Sequence, residues 1–583
     1  LIDIFTITFI GILIYYINGQ YKGITRYLGS LDLYFLFLKN IILSVAFLFF
    51  ASIFQLSYFN LQFLFLFSLV LTSLSGFCRL AIRDVLSAYN LNKKLKPKVA
   101  IYGAGDAGIK LFSSLRYSDK VKVVAFFDDS HDLQNRRINN IKIYSPKDID
   151  KLNFKLDQIL LAVPSAKKEK VRDILEYLKK FSIPVFKIPS IDEITSGKSK
   201  IDNLSPVTVE DLLGRDLTKP DKDLMDGVIN GSTICITGAA GSIGTELTLQ
   251  ILNLKPKKVI AYDNSEQNLY FLGLKIEKLN PQVPYELILA DATDYKFLKK
   301  VFTNNNIDIV YHAAAYKHVP IVENNPLSGT YNNVFSTLYL CKISKECGVK
   351  RFTLISSDKA VRPKNVMGAT KRLAELIVQG FAKKDRKKYD PDSKNASTIF
   401  SMVRFGNVLG SSGSVVPKFQ SQINKRETLT LTHPDIVRYF MSISEAVQLV
   451  IQSSALARGG EVFLLDMGEP ILIRDIAKKL ILLSGKTIKS ENNLNGDIEI
   501  KITGLRPGEK LHEELLINSE SIRTIHPLIY LEKAENNIDN HFWEQINQLE
   551  KLFEDQLPEK EILKILSNLI PEWNISELIK KLV

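Results

Sequence analysis

A chain of 583 residues is too long for one hydrophobic core and implies three or four structural units. Its net charge of +13 is spread along the chain, with no basic block interleaved with aromatics. That pattern argues against nucleic-acid binding and favours an anionic membrane surface as the basic chain's partner. Cys78, Cys235, Cys341 and Cys347 show no CxxC pairing and read as reduced, structural thiols in a cytoplasmic compartment. The seven histidines show no ligand spacing, so no metal is expected.

The first eighty residues hold three apolar runs, Leu1–Ile17, Leu33–Leu56 and Leu61–Phe77. Each approaches the roughly 20 residues that cross a bilayer core, and three in close succession predict transmembrane helices over 1–80. Lys22 and Arg26 lie in the first connector, Ser57–Asn60 carries no charge, and Arg79, Arg83, Lys93, Lys94, Lys96 and Lys98 follow the third run. The positive-inside rule then places the first connector and everything after residue 79 in the cytoplasm. Lys39 is expected to snorkel to the inner interface. The chain begins with Leu, which reads as the loss of an upstream span; a cleaved signal peptide fits less well, because Leu1–Ile17 lacks a basic start and a small-residue cleavage site.

A first Rossmann-like domain is expected over 95–195. Lys98–Tyr102 reads as a strand, Gly103 to Gly108 as GAGDAG, Ile109–Arg116 as a helix, and Val121–Phe127 as a second strand ending at Asp128. This is the dinucleotide-binding order, although Asp128 could equally be a turn residue. Gln158–Val163 and Pro184–Ile188 continue the alternation with a helical pattern at Lys167–Phe181. No catalytic constellation accompanies them, so the domain reads as nucleotide-binding or vestigial. Residues 196–230 are polar and mixed, and read as a linker.

A second domain is expected over 231–535, giving an α/β chain with two doubly wound parallel sheets after the spans. Thr233–Ile236 leads into Thr237, Gly238, Gly241, Ser242, Ile243 and Gly244 in TGAAGSIG. Gly238 allows the tight turn, Gly241 lets backbone approach a pyrophosphate, and Gly244 permits close helix–strand packing. Asp263 ends the next strand, where an acid binds ribose hydroxyls and repels a 2′-phosphate; no Arg follows, so NAD is expected rather than NADP. Asp291 and Ala292 end a third strand, an Asp there commonly meeting the adenine amine. Ala313, Ala314 and Ala315 allow close approach to the nicotinamide half. Arg351–Ile355 reads as a buried strand that delivers an acid beside a base, Asp358 and Lys359, with Met367 four residues before Lys371. An acid–base pair can protonate a leaving group and remove a carbon-bound proton.

TGAAGSIG, HAAAYKHVP, SSDKAVRPKNVMGATKR, VRFGNVLGSSGSVVPKF and GLRPGEKLHEEL, in that order, resemble an extended short-chain dehydrogenase/reductase. More narrowly they resemble the membrane-bound nucleotide-sugar 4,6-dehydratases of bacterial protein glycosylation, capsule and O-antigen synthesis. The resemblance covers nearly the whole chain. It implies dehydration of UDP-N-acetylglucosamine to a 4-keto-6-deoxy sugar for bacillosamine-type glycans, with catalytic domains on the cytoplasmic side of the inner membrane and commonly a homo-oligomer of two or more copies. Short-chain dehydrogenases normally place Tyr where Met367 stands. The family's Thr before the Asp-Lys pair is Ser357 here, which keeps the hydroxyl.

The resemblance assigns Lys359 as base, provided burial and Lys371 lower its pKa, and Asp358 as acid, provided burial raises its pKa. Ser357 would bond the carbon 4 oxygen and Lys371 the nicotinamide ribose. With Met367 in place of Tyr, the acceptor of the carbon 4 hydroxyl proton stays open. Lys317, Asn407, Arg438, Arg506 and Glu509 are assigned to substrate: Asn407 to the diphosphate region, the arginines to bidentate phosphate or ribose contacts, and Glu509 to uridine ribose. Each arginine could instead form a surface salt bridge. Glu513 and Glu514 read as solvated helix charges, and residues 536–583 as amphipathic helices without chemistry. A 4-epimerase or reductase would be expected to keep Tyr and lack the Asp-Lys pair. A non-catalytic nucleotide-sugar-binding scaffold would not need Asp358, Lys359 and Lys371 together.

Overall fold

The structure, a computed structural model, describes residues 30–53, 61–91, 96–116, 121–188, 205–207, 220–386, 397–491, 493–514, 521–532, 538–555 and 558–581, with residue 211 and parts of 9–17. The chain divides into two compact units, residues 1–97 with 119–122, and residues 98–118 with 123–583.

In the first unit, helix Ser30–Ile53 packs against helix Leu61–Leu91. Both are apolar, so their contact is specified by polar side chains. Asn40 is fully buried and donates to Thr72 Oγ1 at 2.7 Å, while the Tyr15 hydroxyl donates to Asn40 Oδ1. Phe35, Leu38, Ile42, Phe65, Leu66, Leu74 and Phe77 point outward and are exposed. Three spans were expected. Among the described residues one helix is long and apolar enough to cross a membrane, over Phe65–Ile82, and Tyr34–Ala46 is a shorter apolar segment. The third apolar run lies within this helix, which continues past it through Arg79 to Leu91. Most of the first run and the connectors carrying Lys22, Arg26, Lys93 and Lys94 lie outside the described residues.

The second unit contains two α/β sheets. The smaller has seven strands in the order Arg137–Ile138, Ile141–Tyr144, Lys122–Phe127, Lys98–Tyr102, Gln158–Leu161, Val185–Lys187, Ser205–Pro206. Asp128 closes this domain's own glycine turn: its carboxylate accepts from Ala104 N at 2.7 Å and from Ser130 N at 2.8 Å. Most of the expected linker lies outside the described residues. Its last part is a helix, Lys222–Ile229, because Asp221 caps it and Met225 and Ile229 are buried.

The larger sheet has nine strands. In sheet order they are Tyr285–Leu289, Lys258–Asp263, Thr233–Thr237, Ile309–His312, Arg351–Ile355, Ile399–Arg404, Val462–Leu465, Ile529–Glu532 and Ser521–Arg523. The first seven are parallel and the last two join antiparallel. The order reverses between Thr233–Thr237 and Ile309–His312, which opens a crevice at the carboxyl ends of those strands. The central strands are apolar on both faces because helices cover both. Ser242–Leu252 and Ile443–Leu456 pack on one face. Ser336–Glu346 and Val366–Arg386 pack on the other and are covered in turn by Asn540–Glu554 and Glu559–Leu569. Three small sheets lie beyond the crevice: Leu429–Leu431 with Ile498–Ile502 and Ile488–Lys489, Asn407–Val408 with Phe440–Met441, and Val437–Arg438 with Ile471–Leu472.

Candidate active site

The crevice is a cleft of about 450 Å³. One wall is the glycine turn. Gly238 has φ +67°, and a Cβ there would lie 2.6 Å from Ala314 N; a Cβ on Gly244 would lie 2.0 Å from Gly238 O. Only glycine lets the turn, the helix Ser242–Leu252 and residues 313–314 approach so closely. The helix N-terminus therefore opens directly onto the cleft, as an anionic diphosphate requires. Of the residues assigned to cofactor, Gly238, Gly241, Ser242, Ile243, Gly244, Ala313, Ala315 and Lys371 line the cleft.

Thr237, Asp263, Asp291, Ala292 and Ala314 do not line it. Thr237 is buried and bonds His312 Nδ1 at 2.8 Å. Burial and the nearby Lys371 charge hold His312 down to about 3, so it is a neutral brace between Thr237 and Thr337. Asp263 accepts from Ala240 N at 2.8 Å and Ser265 N at 2.9 Å, the same bracing that Asp128 gives the first domain. Asp291, expected at the adenine, is exposed, and its Oδ1 accepts from Thr293 N at 2.8 Å and Thr293 Oγ1 at 2.7 Å, which closes its own turn. Ala292 is buried in the core, and Ala314 packs beneath Gly238.

The reactive edge is built where strand Arg351–Ile355 ends. Ser356 N donates to Val403 O at 2.8 Å, and Asp358 N to Phe405 O at 3.1 Å, so the neighbouring strand holds the turn. Ser357 caps the short 3₁₀ turn Asp358–Ala360 and donates to Asp358 Oδ1 at 2.8 Å. Asp358 is fully buried, and its Oδ2 has no hydrogen-bond partner among the described residues. Lys359 Nζ donates to Asp358 Oδ1 at 2.9 Å and to Asn407 Oδ1 at 3.2 Å. Met367 and Lys371 share a face at i, i+4 on helix Val366–Arg386, both lining the cleft, and Lys371 Nζ donates to Ile355 O at 2.9 Å. Burial pushes Lys371 down to about 8 against the opposing pull of Glu375.

The charge state of Lys359 corrects the expectation. Burial alone would lower its pKa, but the Asp358 and Glu513 carboxylates outweigh burial and hold it above the ordinary lysine value. Its resting form is an ammonium. Lys371, expected to depress it, is not among the largest influences on it.

Lys317, Asn407, Arg438, Arg506 and Glu509 all line the cleft. Arg438 is neither a surface salt bridge nor an open fork. It is buried, Nη1 donates to Val437 O at 2.7 Å and Leu511 O at 3.2 Å, and Nη2 to Lys510 O at 2.8 Å, so most of its donors face backbone. Arg506 is exposed at the rim. Glu509 Oε2 accepts from Arg506 N at 3.1 Å and Oε1 from Thr432 Oγ1 at 3.2 Å, which fixes the RPGE turn.

Sequence reasoning missed three elements. Residues Ser411–Val415 form a strap along the cleft, and Ser412 N donates to Ser242 Oγ at 3.2 Å; the glycine-serine run GSSGS was the available signal. Glu513, expected in solvent on a helix, is buried in irregular chain 3.7 Å from Lys359 Nζ. Glu514 is half-buried and pairs with Arg362. Behind Ser356 lies a buried ion network. Glu375 accepts from Ser356 Oγ, Arg404 Nε and Arg404 Nη2, each at 2.6 Å, and from Arg372 Nη1 at 3.1 Å; Arg404 Nη1 donates to Glu532 and Arg372 Nε to Glu572.

Comparison with known proteins agrees with this architecture. Residues 234–533 match the family described as polysaccharide biosynthesis protein, and residues 95–188 match the family described as C2185-like, N-terminal. The chain is 37% identical over 478 residues to the capsular polysaccharide biosynthesis protein CapD of Staphylococcus aureus, covering 81% of this chain and 76% of that protein. It is 30% identical to a Campylobacter jejuni UDP-N-acetylglucosamine 4,6-dehydratase (inverting), over 50% of this chain and 80% of that protein. It is also 30% identical to a UDP-glucose 4-epimerase of Rickettsia felis, over 50% of this chain and 79% of that protein. The chain belongs to the polysaccharide biosynthesis protein family, among the nucleotide-sugar dehydratases and epimerases of the extended short-chain dehydrogenase/reductase type.

Proposed function

We propose that this protein is a hydro-lyase that converts UDP-N-acetylglucosamine to a UDP-4-keto-6-deoxy-N-acetylhexosamine for bacterial glycan synthesis. The observation that carries the reading is the Asp358–Lys359 pair, in contact at 2.9 Å on a cleft whose other wall is the glycine turn, with Met367 where a phenol would stand. An epimerase needs hydride transfer and rotation of a ketone. It does not need a second acid–base pair, whereas loss of water across carbons 5 and 6 does.

Residues present fit NAD: the helix N-terminus opens to the cleft, and Asp263 ends the second strand without a following Arg. NAD bound there would take hydride from carbon 4 and return it to carbon 6. Lys371 would hold the nicotinamide ribose. Ser357 would bond the carbon 4 oxygen. Once carbon 4 is a ketone, Lys359 in its amine form takes the carbon 5 proton and Asp358 in its acid form protonates the hydroxyl leaving carbon 6. Lys317, Asn407, Arg506 and Glu509 would hold the nucleotide end.

The apolar side chains exposed along Ser30–Ile53 and Leu61–Leu91 support a membrane anchor, because a water-facing surface of that extent is unfavourable. We assign a multi-pass placement in the inner membrane, with the charge asymmetry setting both α/β domains on the cytoplasmic side.

The test is incubation of the purified protein with UDP-N-acetylglucosamine, without added cofactor, followed by mass spectrometry. Loss of one water is expected, with deuterium supplied at carbon 4 recovered at carbon 6. A product of unchanged mass and inverted carbon 4 would establish epimerisation instead.

A further inference from the structure

Lys359 must give up its ammonium proton before it can accept one from carbon, yet its surroundings favour the ammonium. Nζ is 2.9 Å from Asp358 Oδ1, 3.2 Å from Asn407 Oδ1 and 3.7 Å from Glu513 Oε1. The Glu513 side chain is 3% exposed, its Oε1 lies 3.6 Å from Arg438 Nε, and its Oε2 is buried with no hydrogen-bond partner among the described residues. A buried carboxylate oxygen without a hydrogen bond is costly, and the two cations beside this carboxylate offset that cost only through charge, so its retention asks for a role. The segment carrying Glu513 is docked on the catalytic turn: Lys510 Nζ donates to Val361 O at 2.6 Å, and Asn365 Nδ2 to Gly508 O at 2.9 Å.

We propose that Glu513 is a positioning residue that retains one proton on the Lys359–Asp358 pair, and that the reacting pair forms when that proton moves from Lys359 Nζ to Asp358 Oδ1. This deepens the dehydration reading and rests on it for the roles of the pair. One N–H bond breaks and one O–H bond forms, leaving a neutral amine and a neutral acid without change of net charge. A seated sugar removes water from the exposed side of Lys359, and a drier site favours the neutral pair. Elimination then returns an ammonium and a carboxylate, the amine having taken the carbon 5 proton and the acid having protonated the leaving hydroxyl. The Glu513 carboxylate neither gives nor takes a proton in this sequence. Without its charge, Lys359 sheds the proton to solvent more readily, and the pair keeps a base but loses its acid.

The other charged groups around Lys359 are Arg438, which opposes the ammonium, and Lys317, His318, Arg506, Glu509 and Lys510 on the same cavity. Glu513 is the carboxylate from outside the catalytic turn that approaches Nζ most closely among the described ion pairs.

The test compares wild type with Glu513→Gln and Glu513→Asp in two measurements. Competitive acetylation of Lys359 against pH, read by mass spectrometry, needs no turnover. In Glu513→Gln the midpoint should fall by about one pH unit or more, which is roughly tenfold faster labelling at fixed pH, and Glu513→Asp should restore most of it. In turnover, the alkaline limb of water loss should move down with the labelling midpoint. Exchange of the product's carbon 5 hydrogen in heavy water, which needs only a base, should persist there. A uniform loss of rate at every pH, with an unmoved labelling midpoint, would overturn the proposal. If wild type loses no water from the sugar, the dehydration reading fails, and the labelling midpoint still decides the role of Glu513.

Discussion

Glu375→Gln isolates one charge in the buried network behind Ser356. The side chains of Glu375 and Arg404 are fully inaccessible, and Glu375 accepts four hydrogen bonds, three of them at 2.6 Å. The amide keeps the shape but leaves the Arg404 and Arg372 guanidiniums short of a counter-charge. Removing one partner from a buried ion pair costs roughly 3–5 kcal/mol, because the other charge stays in the protein interior. The chain's two tryptophans, Trp543 and Trp573, both pack in the core around the nine-stranded sheet, so their fluorescence follows this unit's unfolding in the purified protein. The expected result is a denaturant midpoint lowered by an amount corresponding to several kcal/mol. Burial would raise the Glu375 pKa, but Arg404, Arg372 and the Ser356 hydroxyl outweigh it and hold it below the ordinary carboxylate value. A depressed acid contributes fully above its unfolded pKa and loses that contribution as pH falls through the lower folded value. The gap between variant and wild type should therefore narrow below about pH 4. A midpoint unchanged at neutral pH would refute the argument.

Two further outcomes are expected. Gly244→Ala places a methyl group 2.0 Å from Gly238 O and should abolish retention of NAD through purification, as read by cofactor extraction; NAD recovered at wild-type occupancy would count against the cradle. Lys371→Met should abolish turnover yet stabilise cofactor-stripped protein at pH 7. A lysine held at about 8 instead of 10.5 carries a burial cost of roughly 3 kcal/mol while charged, offset in part by its bond to Ile355 O. Because the folded pKa is the lower one, that cost fades as pH rises from about 8 towards 10.5, so the variant's advantage in denaturant midpoint should vanish in alkali.

The features legible in sequence are those set by neighbours along the chain. TGAAGSIG, the strand ends at Asp263 and Ile355, and the i, i+4 placement of Met367 and Lys371 need only local periodicity and the glycine spacing. The charge on Lys359 was misread because it depends on Glu513, more than 150 positions away, which two adjacent glutamates near the RPGEK turn disguised as solvent-facing. Arg438, expected to face phosphate, lines the cleft, and its hold by the 437, 510 and 511 carbonyls is a long-range feature that the sequence does not display. The Glu375 network joins residues 29 and 128 positions from Arg404, a span that no local pattern encodes. Helix Leu61–Leu91 ran past its expected end because Arg79 and Arg83 do not interrupt a helix.

The helices over 540–580 were expected to be amphipathic, and their apolar faces cover the helix that carries Met367 and Lys371. They also reach the turn before that helix. Asn574 N donates to Pro363 O at 2.9 Å, Ser576 donates to Glu323, Glu323 accepts from Val366 N at 2.8 Å, and Arg372 meets Glu572 from 200 positions earlier. During synthesis, residues 231–410 leave the ribosome well before these braces exist. The cleft's glycine turn can then form on a nascent chain whose Met367–Lys371 helix still has an uncovered apolar back. Order of emergence therefore separates the glycine turn from the braces at 572–576, which join the other wall of the cleft only once that segment has been made.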